Sequence, residues 1–395
     1  MKRQTVLLGV TGSIAAYKAP EIARELERRG VTVHVLMTDA ATEFIAPLTF
    51  EALLDRPVRT RVFSHGKDEY IPHVKLADVA DALLVAPASA DIIARLANGL
   101  GDDIISCTAL AFGGPLIVAP AMHTRMYLHP ATQANLATLR QRGAVVIGPE
   151  SGSLASGDSG PGRMSAPDAI VAWTMKTLGR RGDLAGKVVV VTAGGTQEPI
   201  DPVRCVTNRS SGKMGYALAE ACRDRGATVI LVTAPTSLEP PVAVDVRRVT
   251  TAQQMYDATR SAAAGADALI MAAAVADYRP SNPATDKIKK ERETLTIPLE
   301  RTVDILKSLE GDFVRVGFAA ESSSLEQNAK AKLTEKHLDL IVANDITASD
   351  SGFGSDDNRV SILDRDGGID RLPLMSKREV ADRVLDRVVG LLSHA

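Results

Sequence analysis

Two glycine-bearing turns stand at matching places in the sequence. Gly9-Val10-Thr11-Gly12-Ser13 follows an apolar run, Thr5–Val10, and leads into a helical pattern that lasts through Arg29. Ser211-Gly212-Lys213-Met214-Gly215 leads into a second helical pattern, from about Lys213 to Arg225. A helix N-terminus presents unpaired N–H groups and the positive end of a dipole, so each turn is a candidate for holding an anion such as phosphate. A tight turn without a ligand is the alternative for either one taken singly. Neither is a standard nucleotide fingerprint: the first is not GxGxxG, and in the second Met214 stands where a P-loop needs Ser or Thr and the upstream glycine is missing. A plain dinucleotide site and a Walker ATPase are both rejected.

Other residues carry weaker signals. Asp286-Lys287-Ile288-Lys289-Lys290-Glu291-Arg292 is locally basic. It reads as a solvated face or as a cover over a triphosphate, where lysine's compact charge can follow a migrating phosphoryl oxygen. His73 falls on a loop before a strand at Ala82, where a neutral imidazole makes a good general base; a structural histidine is the alternative. His123 and His129 are six apart, which fits no helical metal pair. Lys332 and Lys336 are four apart and share one helix face, either solvated or flanking an anion.

Both turns need a strand behind them and a helix in front: Thr5–Val10 precedes the first directly, and Lys187–Thr192, followed by Ala193-Gly194-Gly195-Thr196 and a long loop, precedes the second. Gly30 and Gly226 end the two helical patterns, and second strands follow at Val31–Met37 and Ala227–Thr233. Further buried-strand candidates are Ala82–Ala86, Leu116–Ala119 and Ala144–Ile147, then Ala268–Ala273, Val314–Phe318 and Leu338–Ala343. Strand, glycine turn, helix and strand, twice, predict an α/β protein with two Rossmann-like parallel-sheet domains in tandem. The expected domains are 1–178 and 187–395, joined by a linker at 179–186. Ligands of such sheets bind beyond the carboxyl ends of the strands. The informative residues are then Pro87–Asp91, Pro120–His123, Val275–Tyr278, Ala319–Glu321 and Asn344-Asp345. The Gly/Ser-rich stretch Ser151–Gly162 reads by composition as a linker, with a flap over a site as the alternative.

Composition narrows the classes. With 46 Lys+Arg against 48 Asp+Glu there is no global basic field, and 14 aromatic residues leave few stacking platforms, so no nucleic-acid partner is expected. Cys107, Cys205 and Cys222 form no CxxC pair, which argues against a disulfide framework and for a reducing compartment. The apolar run after Met1-Lys2-Arg3 is too short for a signal peptide and Gly12 breaks it; a first buried strand is the better reading. No run approaches the roughly 18–20 apolar residues of a membrane span, so no membrane partner and a cytoplasmic location are expected.

Taken together, these segments resemble, along nearly the whole chain, the bifunctional coenzyme A biosynthesis family that joins phosphopantothenoylcysteine decarboxylase to phosphopantothenate–cysteine ligase. In the first half the resemblance rests on Gly9–Lys18, Pro72-His73-Val74, Ala86–Asp91, and Pro120-Ala121-Met122 with Met126. In the second it rests on Asp201–Arg204, Asn208–Gly215, Ala273–Arg279, Lys287–Lys290, Gly317–Glu321 and Asp339–Asp345.

The resemblance implies a flavodoxin-like, flavin-dependent first domain binding FMN through Gly12, Ser13, Ser89 and Met122. It implies His73 as the base that assists oxidation of the substrate thiol. Two departures stand out. His123 replaces the family's usual Asn, which helps hold the substrate carboxylate. Ser156 replaces the flap cysteine that donates the last proton, and a hydroxyl is a far weaker acid than a thiol of pKa about 8.5. His123, Asp158 or a bound water substitutes, or this half stalls at the enethiol and only the ligase is active.

For the second domain the resemblance implies CTP-dependent ligation of 4'-phosphopantothenate with L-cysteine through an acyl-cytidylate, with Mg2+ accompanying the triphosphate. Asn208 and Lys287 are the implied catalytic residues, with Arg204 at the same site. Ser211, Gly212, Gly215, Ala273, Asp277, Lys287, Val303, Asp304, Ile305, Leu306, Phe318, Lys332 and Lys336 are the implied CTP contacts. Trimeric flavin domains and dimeric ligase domains would combine into a dodecamer. The competing classes are a single-activity enzyme, a regulatory flavin-binding module and a nicotinamide dehydrogenase, the last lacking its glycine fingerprint.

Overall fold

The computed structural model describes residues 3–63, 72–153, 157–289, 293–321, 325–345 and 354–394. The chain divides into two units, Met1–Leu178 and Gly179–Ala395.

In the first unit β1 (Thr5–Val10) passes through a 3-10 turn (Ile14–Lys18) to α1 (Ala19–Arg28) and β2 (Thr32–Met37), followed by α2 (Asp39–Thr42), α3 (Pro47–Leu54) and α4 (Pro72–Val79). Then come β3 (Ala82–Ala88), α5 (Ala90–Asn98), α6 (Ile104–Ala111), β4 (Leu116–Pro120), α7 (Thr124–Leu128), α8 (Pro130–Gln141) and β5 (Val145–Val146). A hairpin, β6 (Glu150–Ser153) and β7 (Ser159–Arg163), precedes α9 (Pro167–Leu178). The strands order β2-β1-β3-β4-β5, and every pairing is parallel. Helices cover both faces, so the strands are continuously apolar rather than alternating. Val6, Leu8 and Val10 pack in one core with Ile22 and Leu26 of α1, while Leu7 joins Ile92, Ile93 and Ile105 on the other face.

The second unit begins with β8 (Val188–Ala193), a small hairpin of β9 (Gln197–Pro199) and β10 (Cys205–Thr207), α10 (Lys213–Asp224), β11 (Thr228–Thr233), β12 (Asp245–Arg248), α11 (Ala252–Ala263) and β13 (Ala268–Met271). It continues with β14 (Tyr278–Pro280), β15 (Leu299–Arg301), α12 (Ile305–Ser308), β16 (Val314–Glu321), α13 (Leu325–Glu335) and β17 (Leu340–Asp345). It ends with β18 (Asp357–Asn358), β19 (Val360–Asp364), β20 (Ile369–Arg371), β21 (Met375–Ser376) and α14 (Lys377–His394). Its large sheet orders β12-β11-β8-β13-β16-β17-β19-β20. The first six strands are parallel in the doubly wound order of a dinucleotide fold.

Four expectations need correction. The second sheet is not wholly parallel: β19 and β20 add antiparallel strands at one edge, an arrangement common in large α/β sheets. His73 lies in α4, not on a loop; Pro72 is compatible with a first helical turn, where its missing N–H is an orphan anyway. Within Ser151–Gly162 the described residues pair as the β6–β7 hairpin instead of a linker. The 179–186 stretch is no free linker either. Leu184 is fully buried in the second unit's core, and Arg225 donates from Nε to Asp183 Oδ1 at 2.9 Å and from Nη1 to Asp386 Oδ1 of α14 at 2.9 Å. Among the described residues no helix is long and apolar enough to cross a membrane.

Candidate functional site

In the first unit Gly12, Ser13, Ser89, Met122 and His123 follow the carboxyl ends of β1, β3 and β4. Thr11 joins the loops after β1 and β3. It is 1% exposed, donates its hydroxyl to Pro87 O at 2.8 Å, and accepts from Ser89 N at 2.9 Å. Ser13 accepts from Ala15 N at 3.4 Å, and Ser89 caps α5 by accepting from Ile92 N at 3.3 Å. A serine hydroxyl used as an acceptor keeps its own proton to give, so both can donate to an anion placed there. At Gly12 a Cβ would lie 2.6 Å from that of Ala40 in α2, so the turn needs glycine to pass under that helix. Replacing Thr11 by Val keeps the shape and orphans both partners. It should lower stability by about 1–3 kcal/mol, readable from a denaturant midpoint.

Met122 ties the loop after β4 to the hairpin, its N–H donating to Gly162 O at 3.0 Å. Next to it His123 caps α7: Nδ1 accepts from Arg125 N at 3.2 Å, and Nε2 lies 2.8 Å from Asp158 Oδ2. With Nδ1 accepting, the ring proton sits on Nε2 and is donated to the carboxylate. His73 lies half-buried, its Nδ1 3.4 Å from Val62 O; donation to that carbonyl leaves Nε2 without a proton. Ser156 lies outside the described residues.

In the second unit a cavity of about 450 Å³ opens at the carboxyl ends of β13, β16 and β17, under the turn that starts α10. The strand order reverses between β8 and β13, the place where such sheets bind ligands. Asn208, Ser211, Gly212, Gly215, Ala273, Asp277, Asp304, Ile305, Leu306, Phe318, Lys332 and Lys336 all line it, whereas Val303, Lys287 and Arg204 do not. Val303 packs beside a neighbouring core, and Lys287 is solvent-exposed. Of the basic run around it, residues 290–292 lie outside the described residues. Asn208 donates Nδ2 to Val275 O at 2.8 Å, fixing the loop after β13 against the glycine turn. The two lysines on one face do not oppose each other unrelieved, because Lys336 Nζ lies 3.1 Å from Asp304 Oδ2. At Gly215 a Cβ would stand 2.6 Å from Ala193 Cβ and 2.8 Å from Thr192 O, so glycine lets α10 start close against β8. Gly215→Ala should therefore cost about 1–3 kcal/mol through overpacking. The same change should displace the turn, to be followed in a thermal melt.

Other cavity residues were given no individual role by the sequence, although Lys213 lies in the glycine turn it singled out. Lys213 Nζ donates to Asp356 Oδ1 at 2.7 Å and to Gly354 O at 2.9 Å. That hydrogen bond is the main cause holding the Asp356 carboxyl below its usual range. Lys377 is buried close by, its Nζ donating to Ser355 O in the same segment; burial first, then the charge of Lys213, pushes its ammonium pKa down. Asn344 presents a buried Oδ1 with no partner among the described residues. The strand-end rule had pointed at Asn344. Lys377 had no local signal, since it opens a helix far along the chain from the glycine turn.

Two family models match the chain: the flavoprotein family over residues 1–179 and the DNA/pantothenate metabolism flavoprotein C-terminal domain over residues 184–392. The coenzyme A biosynthesis bifunctional protein CoaBC of Vibrio vulnificus (strain YJ016) is 44% identical over 395 residues, covering 98% of each chain. That of Bacillus subtilis (strain 168) is 44% identical over 397 residues, covering 99% of this chain and 98% of its own. A crystal structure of the C-terminal domain of a CoaBC is 42% identical, covers 54% of this chain and 100% of that one, and has a TM-score of 0.47. Identity at this level runs through both units and leaves neither half unaccounted for, so the chain belongs to the CoaBC family of bifunctional coenzyme A biosynthesis enzymes.

Proposed function

We propose that the second unit joins 4'-phosphopantothenate to L-cysteine at the expense of CTP, and that the first decarboxylates the product to 4'-phosphopantetheine. The observation that carries this reading is the cavity at the β8/β13 reversal, which gathers residues from Asn208 to Lys336 around one anion-ready turn. A carboxylate is a poor acyl donor, and attack on the α-phosphorus of CTP turns it into an acyl-cytidylate with release of pyrophosphate. The amine of cysteine then displaces CMP and forms the amide. The start of α10, Lys213 and Lys332 supply positive charge where the triphosphate would lie. A magnesium ion would enter on the phosphate oxygens, with Asp277 and Asp304 as the carboxylates at hand. Asn208 and Lys287 are the residues we assign to the acyl-cytidylate steps.

In the first unit the two serine hydroxyls with protons to give, the helix start at Ser89 and the glycine at position 12 suit the phosphate of FMN. Bound there, FMN supplies the two-electron sink that loss of CO2 from the cysteine end requires. His73 takes the thiol proton at Nε2. His123 stands where the family's usual Asn would meet the substrate carboxylate. The His123–Asp158 pair, in its protonated form, gives the final proton that the Ser156 hydroxyl is too weak an acid to give. Exposed apolar side chains such as Tyr17, Leu48 and Leu110 support an oligomer, the dodecamer in our reading. All three cysteines are free, in keeping with a cytoplasmic site of action.

The test is a coupled assay of the full chain with 4'-phosphopantothenate, cysteine and either CTP or ATP, followed by mass spectrometry. Phosphopantetheine is the expected end product. Accumulated enethiol without it would overturn the decarboxylase part. Absence of pyrophosphate release would overturn the ligase part.

A further inference from the structure

We propose that the buried carboxylate of Asp201 positions Lys287 for the ligase reaction, with Arg204 as its partner in that task and not as a contact to reactants. The inference rests on the role assigned to Lys287 above. Asp201 lies in the turn between β9 and β10 and is only 3% exposed. Its Oδ1 accepts from Val203 N and Arg204 N, each at 2.8 Å, which closes the turn on itself. Its Oδ2 faces outward from the turn. There it accepts from Arg204 Nε at 3.0 Å, from Arg204 Nη2, and from the backbone N–H of Ile288 at 3.1 Å. Arg204 Nη2 in turn donates to Ile288 O at 2.9 Å. One ion pair therefore holds both backbone groups of the residue that follows Lys287. A second tie, Ala284 N to Ile200 O at 2.9 Å, fixes the same segment three residues upstream of Lys287.

The arrangement is costly unless it does more than close a turn. The β9–β10 hairpin already has its own backbone ladder, and the turn is closed by Ile200 N to Arg204 O at 2.8 Å. Removing a carboxylate from water costs several kcal/mol, to be offset only by good partners. One of those five hydrogen bonds comes from Ile288, and Arg204, which makes three of the others, also holds the Ile288 carbonyl, in a segment with no strand pairing of its own there. Held by its neighbours' peptides, an exposed lysine keeps a mobile side chain on a fixed base, the kind of placement that saves orientation entropy in a transition state. The Arg204 hydrogen bond holds the Asp201 carboxyl well below the usual carboxylate range. The stability it lends is thus present above that range and lost as pH falls toward the depressed value, so the clamp stays charged at neutral pH.

The experiment compares Asp201→Asn, Lys287→Gln and the double variant in the full chain. Single-turnover reactions with labelled CTP read acyl-cytidylate and product. Asp201→Asn should lower the ligation rate about 10–100-fold and build up acyl-cytidylate as Lys287→Gln does, with the KM for CTP within about twofold. The double variant should be no slower than Lys287→Gln alone, since a positioning residue has nothing left to position. Decarboxylation of ready-made substrate by the same protein should be unchanged. If Asp201→Asn does not fold, Arg204→Ala decides: added guanidinium should restore its ligation rate. Normal turnover in Lys287→Gln would remove the underlying reading. A slow Lys287→Gln beside a full-rate Asp201→Asn, penalties that multiply in the double variant, or no rescue of Arg204→Ala would overturn the inference itself.

Discussion

Lys287→Gln should slow ligation by about a hundred- to a thousandfold, the usual range for loss of one group that stabilises developing charge. Glutamine keeps much of the length and removes the cation. Activation of the carboxylate has other positive groups to draw on, because Lys213, Lys332 and the start of α10 line the cavity. In the proposed sequence, attack by the amine has fewer, since pyrophosphate would already have left and the charge would grow on the departing CMP. The second step should suffer more, and acyl-cytidylate should accumulate in a quenched reaction with labelled CTP. A variant with normal turnover would take Lys287 out of the mechanism. Its exposure and its absence from the cavity wall make this a demanding prediction, since the side chain must reach the nucleotide from the segment that Asp201 and Arg204 hold.

The second large effect is expected in the flavoprotein unit. Asp158→Asn removes the carboxylate that faces His123 Nε2 and leaves the cap on α7 intact. General acid–base groups contribute about 10²–10⁴-fold, and a loss of that size is expected in phosphopantetheine formation, with enethiol rising in its place. Ligation in the same protein should continue at its ordinary rate. Restoring a thiol with Ser156→Cys in the Asp158→Asn background should recover product, because a thiol of pKa about 8.5 can give the proton unaided. Unchanged product formation in Asp158→Asn would assign the last proton to another source.

Much of the frame was legible in the sequence because the same physical signals recur. Apolar runs that end in glycine turns, followed by helices closed at Gly30 and Gly226, specify parallel strands with helices between them. The strand-end rule then led to the Ser89, Met122 and Ala273 regions, and the structure places each at a sheet's carboxyl edge. What escaped had no local mark. Lys377 reaches the cavity only because β19 and β20 extend the sheet and bring α14 back across it. The hairpin at Glu150–Arg163 hid behind glycine and serine, which carry little strand propensity yet pair along a two-stranded ladder. His73 was placed on a loop before the strand at Ala82, whereas the segment forms α4 with Pro72 at its first turn.

The guanidinium of Arg225 grips Asp183 near the entrance of the second unit and Asp386 in its last helix. Anyone excising the ligase for separate expression should therefore cut ahead of Gly179. A version trimmed to Lys187 would strip one side of that grip and empty the niche that Leu184 fills. It would look unstable for reasons that have nothing to do with losing its flavin-binding neighbour.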